Sequence, residues 1–403
     1  MRLQTKKKLV ALNSVTFIMV FGNSLLIPGF PQIREALNIS FFQVSLLVTY
    51  YSVAAGIFIP VFGFISDHVK RKGVIIVALL LYGLGGSLVG VLGFVGGAGI
   101  FPYVLLGRVL QGVGAAGMSP IAMALVGDIF TTEERAKALG TIEFTNIVGK
   151  VVSPILGAAL ILINWFVPFF LFGAFVVPVL FAILFLIKEP EDKGKMPFRK
   201  YFADIKKIFT HRGKFLWLSY LGGSLSFLIL FGVLAFLSDL LEQRYEITGI
   251  LKGVVIAVPV TAWAASSFFS GFHLEKKTQE LKYFVLVGLF LLGTATFLFP
   301  HVENLYMFMA VVVVMGLGGG LIIPSLTIIV TNCAPTEERG GIVSLYGSIR
   351  FFGVALGPPL FSVLSDIREA IPFWGAGVMA IVLLALIFGI SNKEIVELCT
   401  KKE

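Results

Sequence analysis

The sequence predicts an all-α membrane protein: twelve transmembrane helices in two six-helix bundles. Three observations predict it. Apolar runs of about 20 residues, long enough to span a bilayer, recur along the whole 403-residue chain, of which 57% is hydrophobic and 14% charged. The basic residues fall on alternating connections. The second half of the chain repeats the first at an offset of 204 residues.

The spans are expected near 9–33, 42–65, 74–96, 101–127, 138–163, 166–187, 214–240, 250–272, 282–300, 304–330, 341–365 and 372–392. The N-terminal "MRLQTKKK" is basic and precedes an apolar run, as in a signal peptide. That run extends past a typical cleavable core, so it reads as an uncleaved first span. With twelve spans both termini share a side. Of the 32 Lys and Arg, 25 fall on that side and three lie within spans, Arg108, Lys150 and Arg350. Only Arg34, Arg244, Lys252 and Arg368 fall on the other. Positive charge marks the cytoplasm, so both termini are expected there, in a multi-pass protein of the cell membrane. The net charge of +9 is therefore a topology signal and calls for no nucleic acid.

The longest polar stretch, 188–213, separates the halves. It divides the chain into an N-terminal bundle (1–187), a central cytoplasmic loop (188–213) and a C-terminal bundle (214–403). Within the loop, "FRKYFADIKKIF" sets Phe198, Tyr201, Phe202, Ile205 and Ile208 against Lys and Arg, the pattern of a helix lying on the membrane surface.

The repeat is gap-free over "TTEERAKALGTIEFTNIVGKVVSPILGAAL" and "PTEERGGIVSLYGSIRFFGVALGPPLFSVL". Thr132–Arg135 matches Thr336–Arg339, Gly149 matches Gly353, and Pro154 matches Pro358. The same offset takes Gly112, Gly114 and Pro120 to Gly316, Gly318 and Pro324. With a small shift "GFISD" (63–67) corresponds to "GFHLE" (271–275). Two six-span repeats are the plan of a secondary transporter, with substrate held between halves that rock against each other. Pseudo-twofold symmetry along the membrane normal, around a central cavity, is the expectation.

Enzyme and cofactor readings find no support. No Cys/His cluster has metal-ligand spacing, and Cys333 and Cys399 both fall on the expected cytoplasmic side, which argues against a disulfide. Glycine clusters such as "GLGGG" (316–320) sit inside spans with no Lys-Ser/Thr after them, so they read as close helix packing and not as nucleotide loops. No His/Asp or metal set lies within the spans for hydrolysis. No cofactor is expected. The partners expected are a small-molecule substrate, protons and membrane lipids, with the protein acting as a monomer.

Several motifs resemble those of the major facilitator superfamily, over nearly the whole chain. "GFISDHVKRK" is similar to that family's loop between spans 2 and 3, with Gly63, Asp67, Arg71 and Lys72 in place and His68 and Lys70 standing where Arg and Gly are usual. "GRVLQGVGAAG" resembles the fourth-span signature, whose Arg is Arg108. "DIFTTEERAKALG" resembles the following loop, with Asp128 and Arg135 matching. From Gly140 through Gly149 to "SPILGA", the chain resembles the fifth-span signature of proton-driven drug exporters, with Ser153 and Ala158 replacing two glycines. The resemblance implies export rather than import.

Charges inside spans are costly, so each requires a reason. Glu143, Asn146 and Lys150 share one face of the fifth span. Glu143 reads as the only acid well inside a span and as the first candidate for proton coupling. An interfacial place at the span's end and a neutralised pair with Lys150 remain open. Arg108 is either a second proton-coupling residue or a structural one, bonding backbone carbonyls or Asn23. Lys150, Arg350 (at the repeat position of Asn146), Asn146 and Asn23 are candidates for substrate binding. Asp67, Arg71, Asp128 and Arg135 are candidates for a gate at the inner helix ends, against a reading as solvated loop charge. Asn332, where Asp128 would repeat, makes that latch lopsided. Gly149, Pro154, Gly357 and Pro358 are hinge candidates. Tyr50, Tyr51 and Trp263 are candidates for cavity lining.

The function read from these features is proton-coupled export of an amphipathic or hydrophobic small molecule by alternating access. Two alternatives stay open: export or flipping of an anionic lipid or metabolite, favoured by Arg108, Lys150 and Arg350, and a non-transporting receptor or scaffold on the same fold.

Overall fold

The computed structural model describes residues 3–97, 99–130, 132–189, 213–332 and 339–391. The surface helix expected at 198–208 and both cysteines lie outside the described residues. Among the described residues twelve helical segments are long and apolar enough to cross a membrane. Two units are compact in themselves: Met1–Met196 with Ile247–Val254, and Pro197–Glu246 with Val255–Glu403.

In the first unit, the first span is broken. Helix α1 (Leu3–Ser24) ends before a single turn of 3-10 helix at Ile27–Gly29, and α2 (Phe30–Leu37) continues it. Pro28 and Pro31 lack the N–H that an unbroken ladder needs. Asn38, in the left-handed region at φ 50°, ends α2. The second span, α3 (Phe41–His68), starts on a capping box in which Ser40 and Gln43 exchange side-chain-to-backbone hydrogen bonds. Only Val69 and Lys70 separate α3 from α4 (Arg71–Val95). Both have backbone angles open to any residue (φ −123° and −59°), so the turn forms without the glycine that Lys70 replaces.

The fourth span is also broken, into α5 (Phe101–Ala116) and α6 (Ser119–Ile129), with Pro120 in the first turn of the second piece. Then follow α7 (Thr132–Ile161) and α8 (Val167–Leu186). The second half holds α9 (Gly213–Tyr245), α10 (Gly249–Lys276), α11 (Leu281–Leu298), α12 (Leu305–Asn332), α13 (Arg339–Ile367) and α14 (Ile371–Phe388). Pro324 repeats Pro120, yet α12 runs through it unbroken. The break in the fourth span therefore comes from its Gly117–Met118 neighbourhood as well as its proline. At Gly117 a Cβ would stand 2.8 Å from that of Ala78.

Packing repeats as the sequence does. The pairs α1 with α7, α4 with α5 and α4 with α8 in the first half recur as α9 with α13, α11 with α12 and α11 with α14 in the second. The repeated glycines show why. A Cβ at Gly112 or Gly316 would collide with the carbonyl oxygen of Tyr51 or Pro259, one on each half's second helix. A Cβ at Gly114 would come 2.6 Å from the Ala78 carbonyl oxygen, and at Gly318 2.7 Å from that of Gly288. Missing side chains let backbones touch, which is how helices associate where no water drives them together.

Each half also carries a lysine clamp. Lys72 Nζ, in the first turn of α4, donates to the Leu184 and Ile187 carbonyls at the end of α8, at 2.7 and 2.8 Å. Glu189, just beyond α8, returns the favour, accepting the Arg71 and Lys72 backbone N–H groups at 2.9 Å each. In the second half Lys282 of α11 donates to the Phe388 and Ile390 carbonyls at the end of α14. A cation satisfies the carbonyls a helix end leaves open, and a carboxylate satisfies the N–H groups at a helix start.

Candidate functional site

The first unit buries two basic side chains, Arg108 and Lys252. Arg108 on α5 has no solvent exposure. Its Nε donates to the Leu47 carbonyl of α3 at 2.9 Å, Nη1 to Gln111 Oε1 at 2.6 Å, and Nη2 to Asn23 Oδ1 at 2.7 Å. The guanidinium lies 4.5 Å from the Tyr51 ring centroid. Asn23, just before the break in the first span, passes its other end on, donating to Ser52 Oγ at 2.8 Å. Tyr82 donates to the Ile18 carbonyl at 2.9 Å and Tyr51 to that of Met19 at 3.3 Å. Three helices, α1, α3 and α5, are thus tied through one guanidinium, whose acceptors Leu47, Gln111 and Asn23 are all neutral. Asn23, expected as a substrate ligand, has both amide ends engaged inside the unit, and the pairing of Arg108 with Asn23 and a backbone carbonyl is the structural alternative the sequence left open. Tyr51, read as a cavity-lining candidate, is buried at 2% exposure.

On α7 the polar face is graded. Glu143 is exposed, while Asn146 and Lys150 are half-buried. Glu143 makes no ion pair among the described residues, so the pair with Lys150 is not formed. Seven residues of helix separate them by about 10.5 Å along the axis, and Lys150 has an interaction elsewhere. The hinge candidates sit on packing seams: a Cβ at Gly149 would touch Phe17 and Val20 of α1 at 3.3–3.5 Å, and one at Gly357 would lie 2.9 Å from the Gly232 amide nitrogen of α9. Pro154 and Pro358 are both inside their helices.

The four expected gate residues come together at one end of the first unit. Arg71 Nη1 binds Asp128 Oδ2 at 2.7 Å and the Ala124 carbonyl at 3.0 Å, while Nη2 binds Asp67 Oδ1 at 2.9 Å. The Arg135 guanidinium lies over Gly127, where a Cβ would stand 2.5 Å from its Nη2. The second half has no such fork among the described residues. Near the shifted repeat, His273 Nε2 binds Glu280 Oε2 at 2.7 Å and Lys277 binds its other oxygen at 3.3 Å. That hydrogen bond from His273 holds the Glu280 carboxyl below the usual glutamate range. Among the described residues, the ionic contacts of the two halves therefore differ.

In the second unit Arg350 on α13 lies on two rings, 4.8 Å from the Tyr346 centroid and 5.6 Å from that of Phe227. One acid escaped the sequence reading. Asp239 on α9 is buried at 9% exposure, whereas Glu143 is exposed. Glu143 is therefore not the sole acid inside a span. The seventh helix does not stop near 240 but runs on to Tyr245. Asp239 and Glu242 stand three apart on one helical face with no Gly or Pro before Gly249, which was the signal available.

Comparison with known proteins follows the same lines. The family model of the Major Facilitator Superfamily matches residues 12–304 and 280–398. The bacillibactin exporter of Bacillus subtilis is 39% identical over 94% of this chain and 95% of its own length. Multidrug resistance protein 1 of the same organism is 26% identical, covering 92% of each chain. Quinolone resistance protein NorA of Staphylococcus aureus is 23% identical, over 92% of this chain and 93% of its own. Among solved structures, a bacterial homologue of the human lysosomal transporter Spinster superposes with a TM-score of 0.75 at 18% identity, covering 99% of this chain and 95% of that one. The human organic anion transporter MFSD10 gives 0.72 at 16%, covering 96% and 100%. At those identities the structures speak for the fold alone.

Proposed function

The chain belongs to the major facilitator superfamily, and on that premise we propose that it exports an amphipathic or hydrophobic small molecule across the cell membrane in exchange for protons. The observation that carries this reading is the 39% identity to an exporter, the bacillibactin exporter, over nearly the full length of both chains. That likeness makes bacillibactin the first compound to test. The basic excess on one set of loops supports a cytoplasmic place for both termini.

Glu143 is the proposed proton carrier. It lies on the helix with the exporter-like glycines and proline, is exposed, and forms no ion pair among the described residues. Lys150 and Arg350 would bias its affinity for protons. Arg108 supports coupling by holding the first unit's helices in register. The Arg71 fork with Asp67 and Asp128, and Arg135 beside it, form the proposed gate, with Gly149, Pro154, Gly357 and Pro358 letting α7 and α13 flex. The central segment 188–213 is proposed to join two separately moving bundles, and the protein to act as a monomer.

Everted membrane vesicles test the reading. Bacillibactin and a panel of amphipathic compounds should accumulate inside when a pH gradient, acid within, is imposed, and not without it. Glu143→Gln keeps size and hydrogen bonding but cannot ionise. It should abolish uphill transport while leaving downhill exchange. Full pH-driven transport by this variant would remove Glu143 from the mechanism. Failure of every compound to respond to the gradient in the unaltered protein would sink the export reading.

A further inference from the structure

We infer that Arg350, seated on Tyr346 and Phe227, is a subsite for an aromatic oxyanion on the transported compound, an aryl carboxylate or an ionised phenol. The inference rests on the export reading and names the chemistry of its substrate.

Three features of the second unit carry it. The first is the unmatched charge. Arg350 sits in the middle of α13 (Arg339–Ile367), at membrane depth, and no carboxylate lies within ion-pair distance among the described residues. A charge there belongs toward the protein interior or water and requires a partner. Arg108 contrasts with it, since that guanidinium directs its donors at three acceptors of its own unit.

The second is preorganisation. The Tyr346 ring stacks on Tyr220 at 5.6 Å and 27°. Tyr220 is itself fixed by donating to the Ile342 carbonyl at 2.9 Å. Gly223 leaves room for the Tyr346 ring, where a Cβ would come 2.8 Å from its edge. Phe227, only half-buried, leans on Trp263 at 5.6 Å. The guanidinium thus lies against two aromatic rings, and guanidinium donors form the fork that matches a planar oxyanion.

The third is room. Gly347 shares the face of Arg350 at a spacing of three, and a Cβ there would meet nothing within 4 Å. Space, an in-plane fork and a half-exposed ring favour a flat anionic group over an alkyl one.

The test uses the full chain, purified into nanodiscs, and saturation-transfer NMR with three probes. Benzoate has the ring and the charge, cyclohexanecarboxylate the charge alone, and benzyl alcohol the ring alone. Benzoate should bind about tenfold more tightly than either, over cyclohexanecarboxylate through ring contact with Phe227 and over benzyl alcohol through the charge-assisted bonds to Arg350. Arg350→Gln should lower benzoate affinity by about tenfold or more. Phe227→Leu should shrink the benzoate preference over cyclohexanecarboxylate and leave cyclohexanecarboxylate binding unchanged. Arg350→Lys keeps the charge but not the fork and should lower benzoate and cyclohexanecarboxylate affinity together, so it serves if Arg350→Gln does not fold. Equal binding of benzoate and cyclohexanecarboxylate, or unchanged benzoate affinity in both Arg350 variants, would overturn the subsite. None of these readings needs transport, so the export proposal can fail in vesicles while the subsite stands, and the reverse.

Discussion

Asp67 and Asp128 share Arg71 but should contribute very unequally. The Asp67 side chain is 52% exposed and pairs with Arg71 at a spacing of four, while Asp128 is 25% exposed and reaches it across helices at 2.7 Å. Arg71 itself is 15% exposed. An exposed pair of the first kind contributes about 0.3–0.5 kcal/mol. A hydrogen bond to a charged group contributes about 1.5–3 kcal/mol when well buried, and the residual exposure of Asp128 lowers that to about 1–2 kcal/mol. Asp128→Asn should therefore destabilise the protein about three times as much as Asp67→Asn. Both substitutions keep shape and remove charge. Reversible unfolding in mixed micelles, with Arg71→Gln completing two double-mutant cycles, separates the two couplings. The Asp67 coupling should vanish at 1 M salt, where charges are screened beyond about 3 Å, and the more buried Asp128 coupling should persist. An Asp67 coupling equal to or larger than that of Asp128 would refute the argument from burial. If labels across this end of the molecule also spend more time apart in Asp128→Asn, the fork gates transport as well as stabilising it.

Arg108→Lys keeps the charge but cannot reach the Leu47 carbonyl, Gln111 and Asn23 together, and should cost about 3–6 kcal/mol from two lost charge-assisted bonds, read by the same unfolding assay. A loss under about 1 kcal/mol would show that the cluster is not the clamp described here. Lys72→Met and Lys282→Met each open two carbonyls at a helix end and should speed hydrogen exchange in the last turns of α8 and α14 respectively, with the middles of those helices unchanged. Uniform exchange across both helices would contradict a local clamp.

Span length, charge bias and internal repeat were legible because each is a property of consecutive residues or of fixed offsets. A bilayer demands apolar runs of one length, and the repeated glycines at 112, 114, 316 and 318 pack the same way in each half because the same absence of a side chain recurs. The charge cluster around Arg71 was legible too, since Asp67 and Arg71 stand four residues apart across the short turn from α3 to α4 and the loop around Asp128 carried its own motif. Distance in sequence hid the rest. The partners of Arg108 lie 61 and 85 residues away, so only packing could decide that its donors point at Leu47 and Asn23. Glu189 meets the start of α4 across more than a hundred residues, joined by no pattern that a linear reading detects. Burial was the other hidden quantity. Asp239 and Glu143 look alike as acids near apolar runs, but α9 continues to Tyr245 and the first is buried, while the second is exposed on α7. A sequence fixes which side chains share a helical face. Which face another helix covers is settled only when the helices pack.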